Sequence, residues 1–148
     1  MSIKIVKVGE ASFEIGRLSA MQQFHISRRL LPLIGKIAPN LVGAVGKEGK
    51  ARSNAMLKMI PVVAEALSGI SDADAEYVIN HCLAVVSIQQ GQSWPKLTTP
   101  TGVPMFPIDL EAMLTVTAHV IVENLGSFFT TSLPAMFGGL SSPSSSPQ

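Results

Sequence analysis

Phe13-Glu14-Ile15-Gly16-Arg17-Leu18-Ser19-Ala20-Met21-Gln22-Gln23-Phe24-His25-Ile26-Ser27-Arg28-Arg29-Leu30 passes from the two-residue alternation of a strand to the three- and four-residue spacing of a helix. A helix-start signal divides the two patterns. Ser19 and Gln22 are spaced as a capping box, in which the serine hydroxyl accepts the amide three residues on and the glutamine side chain reaches back to the serine amide. Upstream, Ile3, Ile5 and Val8 on one side and Phe13 and Ile15 on the other flank Gly9-Glu10, where glycine supplies the positive φ of a tight turn. This predicts a β-hairpin with an apolar face. Two strands alone are marginal in water, so a helix or a partner's strand has to cover that face.

Downstream, Ala20, Phe24, Leu31 and Ile34 recur at helical steps and are expected to pack, while Gln22, His25, Arg28 and Arg29 on the opposite arc are expected to meet water or a partner. Pro32, which has no amide hydrogen, ends or kinks this helix near Leu31. The glycines at 35, 43, 46 and 49, interleaved with Pro39, Lys47, Glu48 and Lys50, predict the main loop. A second helix is expected to start at Ser53 or Asn54, to bury Met56, Ile60, Val63 and Leu67, to meet a kink at Pro61 and to close at Gly69. The third starts at Ser71, where Asp72, Asp74 and Glu76 put negative charge at the positive end of the helix dipole. Its expected buried side is Val78, Cys82, Val85 and Ile88 or Gln89, ending near Gly91.

Prolines at 95, 100, 104 and 107 then forbid a continuous helix, and Pro100-Thr101-Gly102 reads as a turn between two short extended arms, an Ω-like or hairpin-like loop. Asp109 caps the last long helix, which runs through Leu110, Met113 or Leu114, Thr117, Ile121, Leu125 and Phe128 and which Gly126 is expected to loosen or split. Residues 141–148 are serine and proline without an apolar anchor, a composition that predicts disorder. Residues 1–140 read as one mainly α domain: a small bundle of about four helices with an N-terminal hairpin and a Pro-rich loop or hairpin before the last helix.

The 148 residues are 47% hydrophobic and 14% charged, against about 25% charged in typical globular chains. Such a chain has more apolar surface than one core consumes, which favours binding or assembly. The formal net charge of +1 lacks the basic excess of a protein that neutralises many phosphates, so nucleic acid is not the expected partner. A membrane-spanning helix needs about 20 mostly apolar residues, and the longest candidate, Leu110 to Leu125, is interrupted by Glu111, His119, Glu123 and Asn124. The first seven residues alternate charged with apolar types and do not resemble a signal peptide, so the expected location is the cytoplasm. Cys82, the single cysteine, has no internal disulfide partner, in keeping with a reducing compartment.

No constellation of acids, bases and nucleophiles points to an enzyme, and neither cofactor nor metal is expected. Cys82 and His81 are adjacent on a helix and point about 100° apart, so a buried structural cysteine is the better reading. His25, His81 and His119 lack metal-ligand spacing. The Asp72, Asp74 and Glu76 group lacks the loop of an EF-hand, and the glycines at 43, 46 and 49 lack the G-K-[ST] of a phosphate loop. Arg28 and Arg29 offer two adjacent guanidinium groups to a carboxylate or phosphate, although a solvated helix face is the better reading, given the usual weakness of exposed charges. Two apolar segments are candidate partner anchors: Trp94, Met105 and Phe106 in the Pro-rich loop, and Leu133, Pro134, Met136 and Phe137 after the last helix. Folding back to cap the bundle ends is the competing reading for both.

The order Gly9-x-x-x-Phe13-x-Ile15, then Arg17-Leu18-x-Ala20-x-Gln22-Gln23-Phe24-His25-Ile26-x-Arg28-Arg29-Leu30-x-Pro32-Leu33, resembles the N-terminal half of the tail assembly chaperones of long-tailed bacteriophages. The later order is similar too: a helix, an excursion containing tryptophan and glycine, Phe106-Pro107-Ile108-Asp109-Leu110, an apolar helix, and Asn124-Leu125-Gly126-Ser127-Phe128-Phe129. The resemblance implies a non-enzymatic protein that binds the phage tape measure protein, several copies per chain, keeps it soluble while the tail is built, and is absent from the mature virion. It also implies a longer form, made by ribosomal frameshifting, that recruits the tail tube protein. A tape measure is a long, helical, apolar chain, which a small domain with spare apolar surface can cover by helix-in-groove contact. Candidate contact residues are Gln22, His25, Arg28, Arg29, Trp94, Met105, Phe106, Leu133, Met136 and Phe137. Self-association stays open. So do two other classes, a structural tail or adaptor subunit retained in the particle, and a small DNA-binding regulator using Arg28 and Arg29 with steeply salt-dependent binding.

Overall fold

The structure is a computed structural model that describes residues 4–33, 35, 37, 39, 49–99 and 103–128. Strands β1 (Lys4–Val8) and β2 (Ala11–Ile15) pair antiparallel with Val8 opposite Ala11, which leaves Gly9-Glu10 as the turn, Gly9 at φ 62°. Val6 lies opposite Phe13 and both are buried. Ile5, expected on the apolar face, is instead 56% exposed. Strand alternation leaves no choice here: the register that turns Val6 and Phe13 inward turns Ile5 out.

A third strand, β3 (Val86–Ile88), pairs antiparallel with β2 and gives the sheet order β1-β2-β3. The sequence predicts helix as far as Gly91, and the structure corrects this. The Ser71-capped helix, α3 (Asp72–Leu83), stops at Ala84, whose amide bonds back to the carbonyls of Asn80 and Cys82. Val86, Ser87 and Ile88 are all buried, and beside β2 an extended segment makes ladder bonds and buries both of its faces, a tertiary gain that outweighs local helical spacing. Gly16 permits the close approach: its amide donates to the Val85 carbonyl at 2.9 Å, and a Cβ there would collide with that oxygen.

Helix α1 (Ala20–Leu30) starts on the expected capping box, with Ser19 Oγ accepting from the Gln22 amide and Gln22 Oε1 accepting from the Ser19 amide. It gives way to a 3-10 turn, Leu31–Leu33, at Pro32. Its buried side is Ile26, Ser27 and Leu30. The stripe expected to pack is the free one: Phe24 is 58% and Leu31 41% exposed, Ala20 is exposed, and Ile34 lies outside the described residues. Two apolar stripes run along α1, and the anchoring of the Gly16–Leu18 joint to α4 selects Ile26 and Leu30 for the interior. Gly35, Ile37, Pro39, Gly49 and Lys50 are helical rather than loop, while residues 34, 36, 38 and 40–48 lie outside the described residues.

Helix α2 (Gly49–Ser68) begins earlier than Ser53 and continues through Pro61. Met56, Val63 and Leu67 are buried as expected, with Met59 and Ala66 beside them. Helix α4 (Leu110–Ser127) is capped by Asp109, whose carboxylate accepts from the Ala112 amide at 2.8 Å. It passes through Gly126 without a break and ends one residue later, at Ser127. Every residue from Thr115 to Val122 is buried, so α4 is the central element, packed on α1, α2, α3 and both hairpin strands. It supplies the cover that the hairpin requires.

One polar cluster interrupts this interior. Arg52 of α2 pairs with Glu123 at 2.5 Å and places its Nη2 3.0 Å from Nδ1 of His119. Since a guanidinium has no acceptor, it donates, and the histidine holds its proton on Nε2. Burial first, then the charges of Arg52 and Lys4, push the His119 pKa down to about 4.

The Pro-rich segment closes the outer edge of β3. Ile88 donates to the Pro95 carbonyl, Leu97 donates to Val86, and the arms on either side of residues 100–102 bond through Thr99 to Val103 and Met105 to Leu97. Residues 100–102 lie outside the described residues, as do 129–148, which contain Leu133, Met136, Phe137 and the predicted disordered tail.

Candidate functional site

The free stripe of α1 borders an apolar groove. Ala20, Gln23, Phe24 and Ser27 form one wall and Leu125 and Phe128 at the end of α4 the other, enclosing about 210 Å³. Met21, 64% exposed, and Phe24 extend the apolar surface beyond the groove. Leaving two large side chains in water forgoes about 1.5–3 kcal/mol each of burial free energy. No ionisable residue lines the groove among the described residues, and its lining is suited to apolar side chains. Among the described residues no three His, Cys, Asp or Glu side chains gather as metal ligands, and no helix is long and apolar enough to cross a membrane.

A comparison with protein families places the chain. Residues 9–138 match the family described as phage tail assembly chaperone protein, TAC. The chain belongs to that family. No curated protein and no solved structure matches it. Membership assigns this chaperone to phage tail assembly, with partners among phage tail proteins, and the match runs from the hairpin turn at Gly9 through β2, the capping box and helices α1 to α4.

The polar residues of α1 do not form a free binding face in this chaperone. Arg29 donates through Nε to Asp74 at 3.1 Å and through Nη1 to the His25 carbonyl at 2.9 Å, and lies 3.8 Å over the Tyr77 ring. His81 stacks on Tyr77 at 3.9 Å and His25 meets its edge at 6.2 Å. These contacts fasten α1 to α3. Gln22 is used in the cap, and Arg28, exposed, donates to Nδ1 of His25 at 3.4 Å. The structure thus unites His25, Arg28 and Arg29 in one network, of which only Arg28 faces outward.

Trp94 and Phe106 are half-buried, Phe106 against the core, and Met105 is 55% exposed; they sit on the segment that covers β3 rather than on α1. Leu133, Met136 and Phe137 lie outside the described residues. Cys82 is fully buried and its thiol is pushed up to about 12 by burial. The groove residues Ala20, Gln23, Phe24, Ser27, Leu125 and Phe128 are not among the candidate contacts, yet they carry one legible signal. Ile26 and Leu30, four apart, form a second apolar stripe on α1, and a helix with two such stripes cannot bury both in one small core.

Proposed function

We propose that this chaperone binds the phage tape measure protein through the α1 stripe and the α1/α4 groove, and keeps that partner soluble while the tail is assembled. The supporting observation is the exposure of Met21 and Phe24 on α1, with Leu31 in the turn that follows, in a tail assembly chaperone. An amphipathic helix of the tape measure offers apolar side chains at three- and four-residue spacing, and a groove walled by two helices accepts such a row. Arg28, beside the stripe, supplies a charged margin that steers encounter more than it adds affinity. One such groove covers a short length of helix, so several copies coat one tape measure chain.

The protein acts without catalysis, in the host cytoplasm, and leaves before the virion is complete. Co-expression with the tape measure protein of the same phage tests this reading. A soluble complex holding several copies per tape measure chain is expected, by size-exclusion chromatography with light scattering. Tape measure that precipitates equally with and without this protein would contradict it.

A further inference from the structure

On the far side of the sheet from β3, the outer edge of β1 is unpaired among the described residues and faces α2 across a groove of about 560 Å³. Ser12 gives its carbonyl to Gln89 on the β3 side at 2.9 Å. Antiparallel alternation then directs the amide and carbonyl of Ile5 and Lys7, the register partners of Glu14 and Ser12, to the open edge. Apolar side chains flank that edge: Ile5 is 56% and Leu57 68% exposed, with Met56 and Ile60 deeper.

The charge around the groove has one sign. Lys4 and Lys7 line it and no Asp or Glu does so among the described residues, while Arg52, which also lines it, is paired with Glu123. Lysines on an edge strand oppose pairing with a second copy, which would bring the lysines of both chains together. The same lysines favour a strand that carries carboxylates.

We propose that β1 takes up an extended segment of another polypeptide, rich in acidic and apolar residues, as a fourth strand. Backbone bonds to Ile5 and Lys7 supply affinity, Lys4 and Lys7 select carboxylates, and Ile5 and Leu57 receive apolar side chains. This surface is separate from the α1/α4 groove and takes a strand where that groove takes a helix.

The test uses the full chain, a capped peptide of alternating valine and glutamate, and hydrogen exchange read at single amides. The Ile5 and Lys7 amides are expected to exchange rapidly in the free protein and about tenfold more slowly at a peptide concentration about ten times the dissociation constant. The same peptide with lysine for glutamate, or N-methylated at alternate residues, should leave both rates unchanged. The proposal is overturned by no slowing, by equal slowing with the lysine peptide, by amides already protected in the free protein, or by slowing that follows protein concentration without peptide. Phe24→Glu should not alter the result, so this test and that of the α1/α4 groove fail independently.

Discussion

Asn124 of α4 accepts the Leu18 amide on Oδ1 at 2.9 Å and donates from Nδ2 to the Gly16 carbonyl at 3.1 Å, so one side chain fixes the joint between β2 and α1. The joint sets the rotation of α1, and with it which apolar stripe is left in water. Asn124→Ala removes a partner from two part-buried backbone groups and should cost about 2 kcal/mol in chemical denaturation. Asn124→Asp keeps the acceptor, loses the donor and should cost less. A loss under about 0.5 kcal/mol for the alanine variant, the range of ordinary surface substitutions, would show that the joint holds without this latch.

Arg28 and Arg29 are neighbours in sequence with different tasks. Arg29→Ala removes an ion pair, a backbone bond and a ring contact at once, and should lower stability by about 1–2 kcal/mol. Arg28→Ala should stay within about 0.5 kcal/mol of the parent. Thermal unfolding of the two variants side by side decides this, and equal effects would refute the division. It also follows that a double charge reversal would confound partner binding with folding.

His119 makes stability depend on pH. Its folded pKa of about 4 lies below the ordinary 6.5, so the unfolded chain binds the proton more readily, and the contribution is complete above 6.5 and lost as pH falls toward 4. At about 1.4 kcal/mol per pKa unit the loss approaches about 3 kcal/mol. His119→Gln keeps an acceptor for Arg52 and cannot titrate. Denaturation at neutral and acid pH should show a flatter pH response for the glutamine variant, and parallel curves would remove His119 from the account.

Local chemistry made the helix starts legible: Ser19 with Gln22, Ser71 and Asp109 each cap where their spacing predicts, because a cap depends on residues within one turn. The hairpin turn at Gly9 was legible for the same reason. What stayed hidden depends on distant residues. Val86–Ile88 has a plausible helical phase and becomes a strand only because β2 lies beside it, and Phe24 has a plausible core phase but is left out because Asn124, 106 positions from the Leu18 amide that it holds, sets the helix rotation. Pro61 sits inside α2 against its local preference. For the binding surface, the sequence carries the surplus of apolar residues but not which of two stripes on α1 is the surplus.

The most direct test of tape measure binding by α1 replaces Met21 and Phe24 together by glutamate and asks whether the tape measure protein stays in solution on co-expression. Both side chains are more than half exposed, so the variant should fold with a stability within about 1 kcal/mol of the parent, as circular dichroism and thermal unfolding would show. A folded variant with the tape measure lost to the insoluble fraction is expected. A folded variant that keeps as much tape measure soluble as the parent would contradict that binding.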